Sequence, residues 1–224
     1  MLEVKIMPNE IIPLEIKSLT IQNPFLFAKA LKEYPDLCRQ LLEQAFNLQI
    51  GELDYLGYEN IFEDFSDYKD TRTDIYAHEK NTLRFFTIEM QDNRDDSFGK
   101  KMRYYRAIMD KDSYQRMNTF ADLYIVFVCP FDVFKEGHHL YAIKNRCQED
   151  PSIVYDDGCY QIFLCSDSTE DDVNSEVRAF LDYVAHGKIS TNFVKELDAC
   201  VQQIKSDEIF QSDCKKYLAT KSKL

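Results

Sequence analysis

Residues 71–91, with the sequence TRTDIYAHEKNTLRFFTIEMQ, decide the fold that we expect for this chain. We predict that they form a β-hairpin with its turn near residues 80–81. Strand side chains alternate between two faces, so Glu89 and Gln91 share a face of the second strand. In this register Asp74 and Glu89 are cross-strand or diagonal neighbours, with side-chain stems roughly 5 to 8 Å apart.

Two carboxylates on a rigid pair of strands are suited to a divalent metal ion. Mg²⁺ prefers oxygen ligands, typically takes one or two protein carboxylates, and fills its remaining positions with water and substrate phosphate. We therefore expect Asp74 and Glu89 to bind Mg²⁺ or Mn²⁺. Such a metal polarises a phosphate oxygen and lowers the pKa of a bound water.

The pattern D-x14-E-x-Q, from Asp74 through Glu89 to Gln91, resembles the active-site hairpin of the PD-(D/E)XK nuclease superfamily. The chain as a whole resembles the PD-(D/E)XK family of transposases, also called recombination-promoting nucleases. The blocks that carry this resemblance are NPFLFAKAL (23–31), LCRQLLEQAFNLQIGELDYL (37–56), RTDIYAHE (72–79), FFTIEMQ (85–91), KKMRYYRAIMD (100–110), YIVFVCPFDVF (124–134), NRCQEDP (145–151) and DVNSEVRAFLDYVAHG (172–187). They follow the order of the family.

The resemblance implies a metal-dependent DNA endonuclease with a role in DNA recombination or in defence against phage. It implies that Asp74, Glu89 and the carbonyl of Met90 hold the metal, and that Asp74, Glu89 and Gln91 are catalytic. Most of the superfamily has lysine where this chain has Gln91. A neutral amide can donate a hydrogen bond, but it neither neutralises charge nor acts as a base. A lysine at position 91 is therefore expected to maintain or raise activity.

The predicted order of elements is helix, strand, hairpin, helix, buried strand, which by itself supports an α/β or α+β fold with a mixed sheet. The resemblance implies the αβββαβ core of restriction-endonuclease-like proteins, with added C-terminal helices. We expect an N-terminal extension over residues 1–20, the nuclease-like domain over residues 21–187, and a helical segment over residues 188–224 that packs on the same domain.

Local signals place the individual elements. Asn23 is a helix cap followed by proline at the first helical position, and residues 123–129 form an unbroken apolar run typical of a central strand. The predicted helices cover residues 23–33, 35–46, 98–112, 172–186 and 191–205, and the predicted strands outside the hairpin cover residues 50–58, 123–129, 140–144 and 160–165.

The formal net charge of −12 means that any contact with DNA needs a local basic patch. Such a patch lies directly after the hairpin, between residues 94 and 106. From it we select Lys100, Arg103 and Arg106 as contacts to the DNA backbone. The last two are three residues apart and lie on one face of the predicted helix. A weaker basic cluster lies at residues 215–223.

The remaining features indicate a cytoplasmic protein without a membrane span. No apolar run approaches the ~20 residues that a transmembrane helix requires, and the start of the chain lacks the features of a signal peptide. The seven cysteines include no C-x-x-C pair, and their apolar surroundings indicate buried thiols in a reducing compartment. A homodimer is compatible with the sequence, which does not fix the oligomeric state.

Several residues near the predicted site have a second interpretation. Of the adjacent Tyr104 and Tyr105, only one can face the site, and the other is expected in the core. We expect His78 on the hairpin surface and Glu43 in solvent. His138 and His139 are expected to point to opposite faces rather than to form a metal pair. The alternative to a nuclease is a non-catalytic module that binds nucleic acid or protein and retains the fold.

Overall fold

The structure, a computed structural model, describes residues 12–56, 75–91, 93–94 and 97–221. Asp74 lies outside the described residues. The elements in chain order are α1 (Leu14–Lys17), α2 (Pro24–Glu33), α3 (Pro35–Phe46), β1 (Leu53–Tyr55), β2 (Ile75–Glu79), β3 (Arg84–Met90), α4 (Phe98–Met117), β4 (Asp122–Cys129), β5 (Leu140–Ile143), β6 (Cys159–Cys165), α5 (Ser175–His186), α6 (Asn192–Ser206) and α7 (Glu208–Lys221).

The described strands form one mixed sheet of six strands in the order β1-β2-β3-β4-β6-β5. β4 is parallel to both of its neighbours, β3 and β6, while the other pairs are antiparallel. All but the first residue of β4 are buried, which confirms the prediction of a central strand. The predicted hairpin is also confirmed: its turn includes Asn81, whose φ of 62° lies in the left-handed region that asparagine tolerates.

Helices cover both faces of the sheet, but unequally. On one face, α2, α3, α5, α6 and α7 share a core with the inward side chains of the strands, among them Phe86, Ile88 and Val126. On the other face, α4 packs over Phe85, Phe127 and further apolar residues of the central strands. The candidate site lies in this second, thinner layer between the sheet and α4.

The predicted start of α2 is confirmed by its cap. The side chain of Asn23 accepts a hydrogen bond from the backbone N–H of Leu26 at 3.1 Å, with Pro24 at the first helical position. α5 begins at Ser175 rather than at the predicted residue 172, because Asn174 is its cap and accepts a hydrogen bond from the backbone N–H of Val177 at 2.9 Å. These contacts satisfy backbone donors that have no partner inside the helix.

Three further elements differ from the prediction. Of the predicted strand 50–58, residues 57–58 lie outside the described residues. The strand begins at Leu53 rather than at residue 50, because the backbone N–H of Gly51 donates to the side chain of Glu79 instead of to a strand. α4 continues to Met117, because Asp112 is buried and bonded within the fold rather than exposed. α7 was not predicted as a separate helix; its Phe210 stacks on Phe25 with ring centroids 5.5 Å apart.

The carboxylate of Glu79 joins the hairpin to the start of β1. It is 3 % exposed. Its Oε2 lies 2.5 Å from Nε of Arg84, and its Oε1 accepts from Nη2 of Arg84 at 2.7 Å and from the N–H of Gly51 at 2.6 Å. A Cβ at position 51 would lie 3.2 Å from the same carboxylate oxygen, so glycine permits this close approach. Glu79 therefore fixes the turn end of the hairpin.

The cysteines are free thiols, and five of the seven are buried, as their apolar surroundings predict. In the residues that the structure covers, no helix combines the length and apolar composition needed to cross a membrane.

Candidate active site

Glu89 lies on β3, on the face that α4 covers. It pairs in register with Phe127 of β4, and both side chains point into the layer beneath α4. Because side chains alternate along a strand, Phe85, Thr87 and Glu89 share this face. Glu89 is 3 % exposed. A carboxylate is thus held in a layer that is otherwise mostly apolar.

Tyr105 of α4 contacts Glu89 from the helix side of this layer. Its hydroxyl donates to Oε2 of Glu89 at 3.4 Å, and its ring packs edge-on against Phe127 with centroids 5.6 Å apart. The sequence predicts one core tyrosine and one site tyrosine at positions 104 and 105. Tyr105 fills both roles, because its ring lies in the core while its hydroxyl reaches the carboxylate.

Gln91 follows the end of β3 and is 7 % exposed. Its backbone N–H donates to the carbonyl of Val128 at 2.8 Å, which continues the pairing with β4. Its side-chain Oε1 accepts a hydrogen bond from Nζ of Lys101 at 3.3 Å. An ammonium group therefore lies beside the residue that stands at the third position of the predicted motif.

The periodicity of α4 explains this arrangement. Lys101 and Tyr105 are four residues apart and so project from one helical face, toward Gln91 and Glu89 respectively. Further along the same helix, Asp112 accepts from the hydroxyl of Tyr76 on β2 at 2.9 Å. Burial raises the pKa of Tyr76, and the neighbouring Asp112 raises it further, so the hydroxyl stays protonated. Polar contacts near both ends of α4 thus fix the position of the helix relative to the hairpin.

The predicted metal ligands are only partly within the described residues. Glu89 and Met90 are at the end of β3, where the carboxylate faces α4 and the Met90 side chain is buried in the opposite core. Asp74 precedes the first described residue of β2. Outside Asp74 and the other residues not described, no group of three or more histidine, cysteine, aspartate or glutamate side chains is arranged to hold a metal ion.

The basic segment after the hairpin divides into residues with different surroundings. Lys100 and Arg103 are exposed on the solvent face of α4. Arg106 instead lies 2.7 Å from Oδ2 of Asp157 and 3.7 Å from Oδ2 of Asp110. Burial lowers the pKa of Arg106, but the bond to Asp157 and the nearby negative charges outweigh this and leave it raised. Of the three proposed DNA contacts, Arg106 is therefore held in ion pairs. Lys100 and Arg103 have no such ion pair within the described part of the chain.

His78 and Glu43 do not approach the site. His78 is half-buried, stacks on Phe85 with centroids 4.6 Å apart, and has Nε2 2.9 Å from the carbonyl of Thr82. Glu43 accepts from the backbone N–H of Ile50 at 3.0 Å, so it is not the free solvent residue that the periodicity predicts. It belongs to α3, on the opposite face of the sheet from Glu89.

His138 and His139 converge on one carboxylate, contrary to the prediction that they point apart. Nδ1 of His138 lies 3.0 Å from Oδ2 of Asp172, and Nδ1 of His139 lies 3.4 Å from its Oδ1. The alternation rule fails because both residues precede β5 and are not in a strand. Arg178 contacts Nε2 of His139 at 2.9 Å, so this cluster anchors α5 to the sheet.

Lys101 is the site residue that the sequence did not single out. It lies in the basic segment, but the sequence gives no local reason to place it, rather than Lys100, at the site. The signal that separates them is the helical phase: Lys101 shares a face with the buried Tyr105, while Lys100 and Arg103 share the exposed face. Comparisons with models of protein families, with curated proteins and with solved structures gave no match to this chain.

Proposed function

We propose that this protein is a metal-dependent endonuclease that hydrolyses phosphodiester bonds in DNA. The observation that carries the proposal is the convergence of Glu89, Gln91, Lys101 and Tyr105 at one point of the mostly apolar layer beneath α4. Titratable and polar groups gathered in an apolar environment are the pattern expected of a functional site. The alternative, a non-catalytic binding module, gives no reason for a buried carboxylate at this point.

We further propose the restriction-endonuclease-like core and membership of the recombination-promoting type. The chain order α3, β1, β2, β3, α4, β4 is the αβββαβ order that the sequence resemblance implies. The hairpin that carries the motif is next to the buried central strand, and α4 follows it directly. These features support the assignment, since the motif and the order of elements are independent of each other.

The donor atoms near the end of β3 suit a magnesium or manganese ion. Glu89 offers a carboxylate and Met90 a carbonyl, and oxygen is the ligand that these ions prefer. Ile75 pairs with Ile88, Asp74 directly precedes Ile75 in the sequence, and Glu89 directly follows Ile88. A bound ion would polarise a phosphate oxygen and acidify a water.

The residues of the chain have separate tasks in this proposal. Tyr105 holds the carboxylate of Glu89 in place by packing on Phe127 and by its hydroxyl. The amide of Gln91 can donate a hydrogen bond to a phosphate oxygen or to the attacking water. Lys100 and Arg103, exposed on the same helix that carries Tyr105, would contact the phosphate backbone on either side of the cleaved bond.

Cleavage of plasmid DNA tests the proposal directly. Purified protein is incubated with supercoiled plasmid in Mg²⁺ or Mn²⁺, and chelator is added to a parallel reaction. We expect nicked and linear products that depend on the metal and are absent with chelator. Intact plasmid after incubation with excess folded protein in both metals would reject the nuclease and favour the binding module.

DNA contact by the exposed face of α4 is tested by the salt dependence of binding. The double variant Lys100→Ala, Arg103→Ala should bind duplex DNA more weakly, and the slope of log K against log salt should become shallower by about two, because each lost phosphate contact removes about 0.9 from the slope. Binding is followed in Ca²⁺, which commonly fills such sites without supporting turnover.

Arg106→Ala is the matched control for this experiment. Because Asp157 binds the guanidinium, its loss should leave the salt slope within about half a unit of the wild type. An unchanged slope in the folded double variant would show that this face of α4 does not contact DNA. The basic cluster at residues 215–223 would then be the next region to vary.

A further inference from the structure

We infer that Lys101 supplies the positive charge that Gln91 cannot, so that the cation of the site comes from α4 and not from β3. This inference rests on the proposed function and assigns one further residue to it. Its basis is the contact of 3.3 Å between Nζ of Lys101 and Oε1 of Gln91.

The position of Lys101 differs from that of an ordinary surface lysine. Its partner Gln91 is buried, and Lys101 itself is half-buried, whereas the adjacent Lys100 is exposed. Lys101 also lies one helical turn before Tyr105, which contacts Glu89. The same face of α4 therefore brings a hydroxyl to Glu89 of β3 and an ammonium group to Gln91, which directly follows β3.

Phosphodiester hydrolysis needs a positive charge at this point. A water oxygen bonds to phosphorus, the bond from phosphorus to the leaving sugar oxygen breaks, one water proton passes to solvent, and the leaving oxygen takes up a proton from solvent. Negative charge grows on the phosphate oxygens during this exchange. A fixed donor or cation aimed at such charge is worth about a hundredfold to a thousandfold in rate.

Lys101 also sets the orientation of the Gln91 amide. Because the ammonium group can only donate, it holds the carbonyl oxygen of the amide on its own side. The NH₂ end is then turned away from Lys101 and presents two donors. Gln91 and Lys101 thus act as a pair in which the amide donates hydrogen bonds and the lysine carries the charge.

This pairing changes the expectation for a lysine at position 91. From the sequence alone, such a lysine maintains or raises activity. In the structure, Gln91→Lys places a second ammonium group where Lys101 already donates, and like charges at this distance repel. We therefore expect Gln91→Lys alone to lower the rate of cleavage by about tenfold, and to be beneficial only when Lys101 is neutral.

The experiment compares single-turnover cleavage of plasmid DNA by the wild type, Lys101→Met, Lys195→Met, and the double variant Gln91→Lys, Lys101→Met. Lys195 is an exposed lysine of α6, on the opposite face of the sheet, and serves as the control. Methionine keeps most of the lysine chain but removes the charge. We expect Lys101→Met to slow cleavage by about a hundredfold or more, and Lys195→Met to stay within about threefold of the wild type. The double variant should recover to within about tenfold of the wild type, because the charge is restored from β3.

Recovery in the double variant separates a role in charge from a role in structure, since a lysine at position 91 cannot restore packing lost from α4. Thermal unfolding of each variant confirms that the proteins are folded. Unchanged cleavage by Lys101→Met, or a double variant as slow as Lys101→Met, would overturn the inference while leaving the nuclease proposal intact. An inactive wild type would reject the proposed function and this inference together.

Discussion

Glu89→Gln and Asp74→Asn should each reduce metal-dependent cleavage of plasmid DNA by about a thousandfold or more. Each change replaces a carboxylate by an amide of nearly the same shape, so it removes the charge of a proposed metal ligand without adding or removing bulk. A catalytic metal contributes several kcal/mol to the stabilisation of the transition state, which corresponds to this loss of rate. The folded structure should persist, because the repulsion between the two carboxylates that the proposed site brings together is also removed.

Two measurements accompany the cleavage assay. Calorimetric titration with Ca²⁺ should show weaker binding in both variants, and thermal unfolding should show stability equal to or slightly above that of the wild type. Glu43→Gln is the control, because Glu43 lies on the opposite face of the sheet and bonds to Ile50. Full cleavage activity in pure Glu89→Gln protein would exclude Glu89 as a metal ligand.

Glu79→Ala should lower the free energy of unfolding by about 3 kcal/mol. Breaking a buried ion pair by removing one partner typically costs about 3 to 5 kcal/mol, and the lower end applies here because the Arg84 side chain is 25 % exposed and retains some hydration. The N–H of Gly51 also loses its acceptor. For a protein of this size the loss corresponds to a decrease of about 6 to 12 °C in Tm.

Thermal and urea-induced unfolding measure this effect, with Glu52→Ala as the matched control. Glu52 also contacts a lysine of the hairpin turn, Lys80, but its side chain is 73 % exposed, so its removal should leave Tm within about one degree. If Glu79→Ala and Glu52→Ala had equal Tm values, the buried carboxylate would not be the anchor of the hairpin.

The elements that the sequence predicted best are those with a strong local signal. The apolar run of β4 can be stable only between two covered faces, and Asn23 followed by Pro24 has the chemistry of a helix start. The hairpin turn at residues 80–81 follows from the same kind of local pattern. In each case the residues that determine the conformation are next to one another in the chain.

The features that the sequence did not predict depend on contacts between distant elements. α4 continues past Asp112 because Tyr76 and Arg116 bond that carboxylate, and no pattern within α4 reveals the tyrosine on β2. Gly51 leaves the first strand because the Glu79 carboxylate is in reach of its N–H. The role of Lys101 likewise depends on how α4 docks, which fixes the ammonium group beside Gln91.

The four described side chains of the candidate site lie between Glu89 and Tyr105, within one short segment of the chain, and this has a consequence for how the chain folds. Gln91 and Lys101 are 10 residues apart, and Glu89 and Tyr105 are 16 apart, so both contacts close short loops. The parallel pairing of β4 with β6, by contrast, joins residues that are far apart in the chain, such as Leu123 and Cys159. β5 lies in the sequence between them. Contacts between nearby residues form faster, because less chain entropy is lost before they are made. The groups of the site are therefore expected to meet early in folding, before the far half of the sheet is complete.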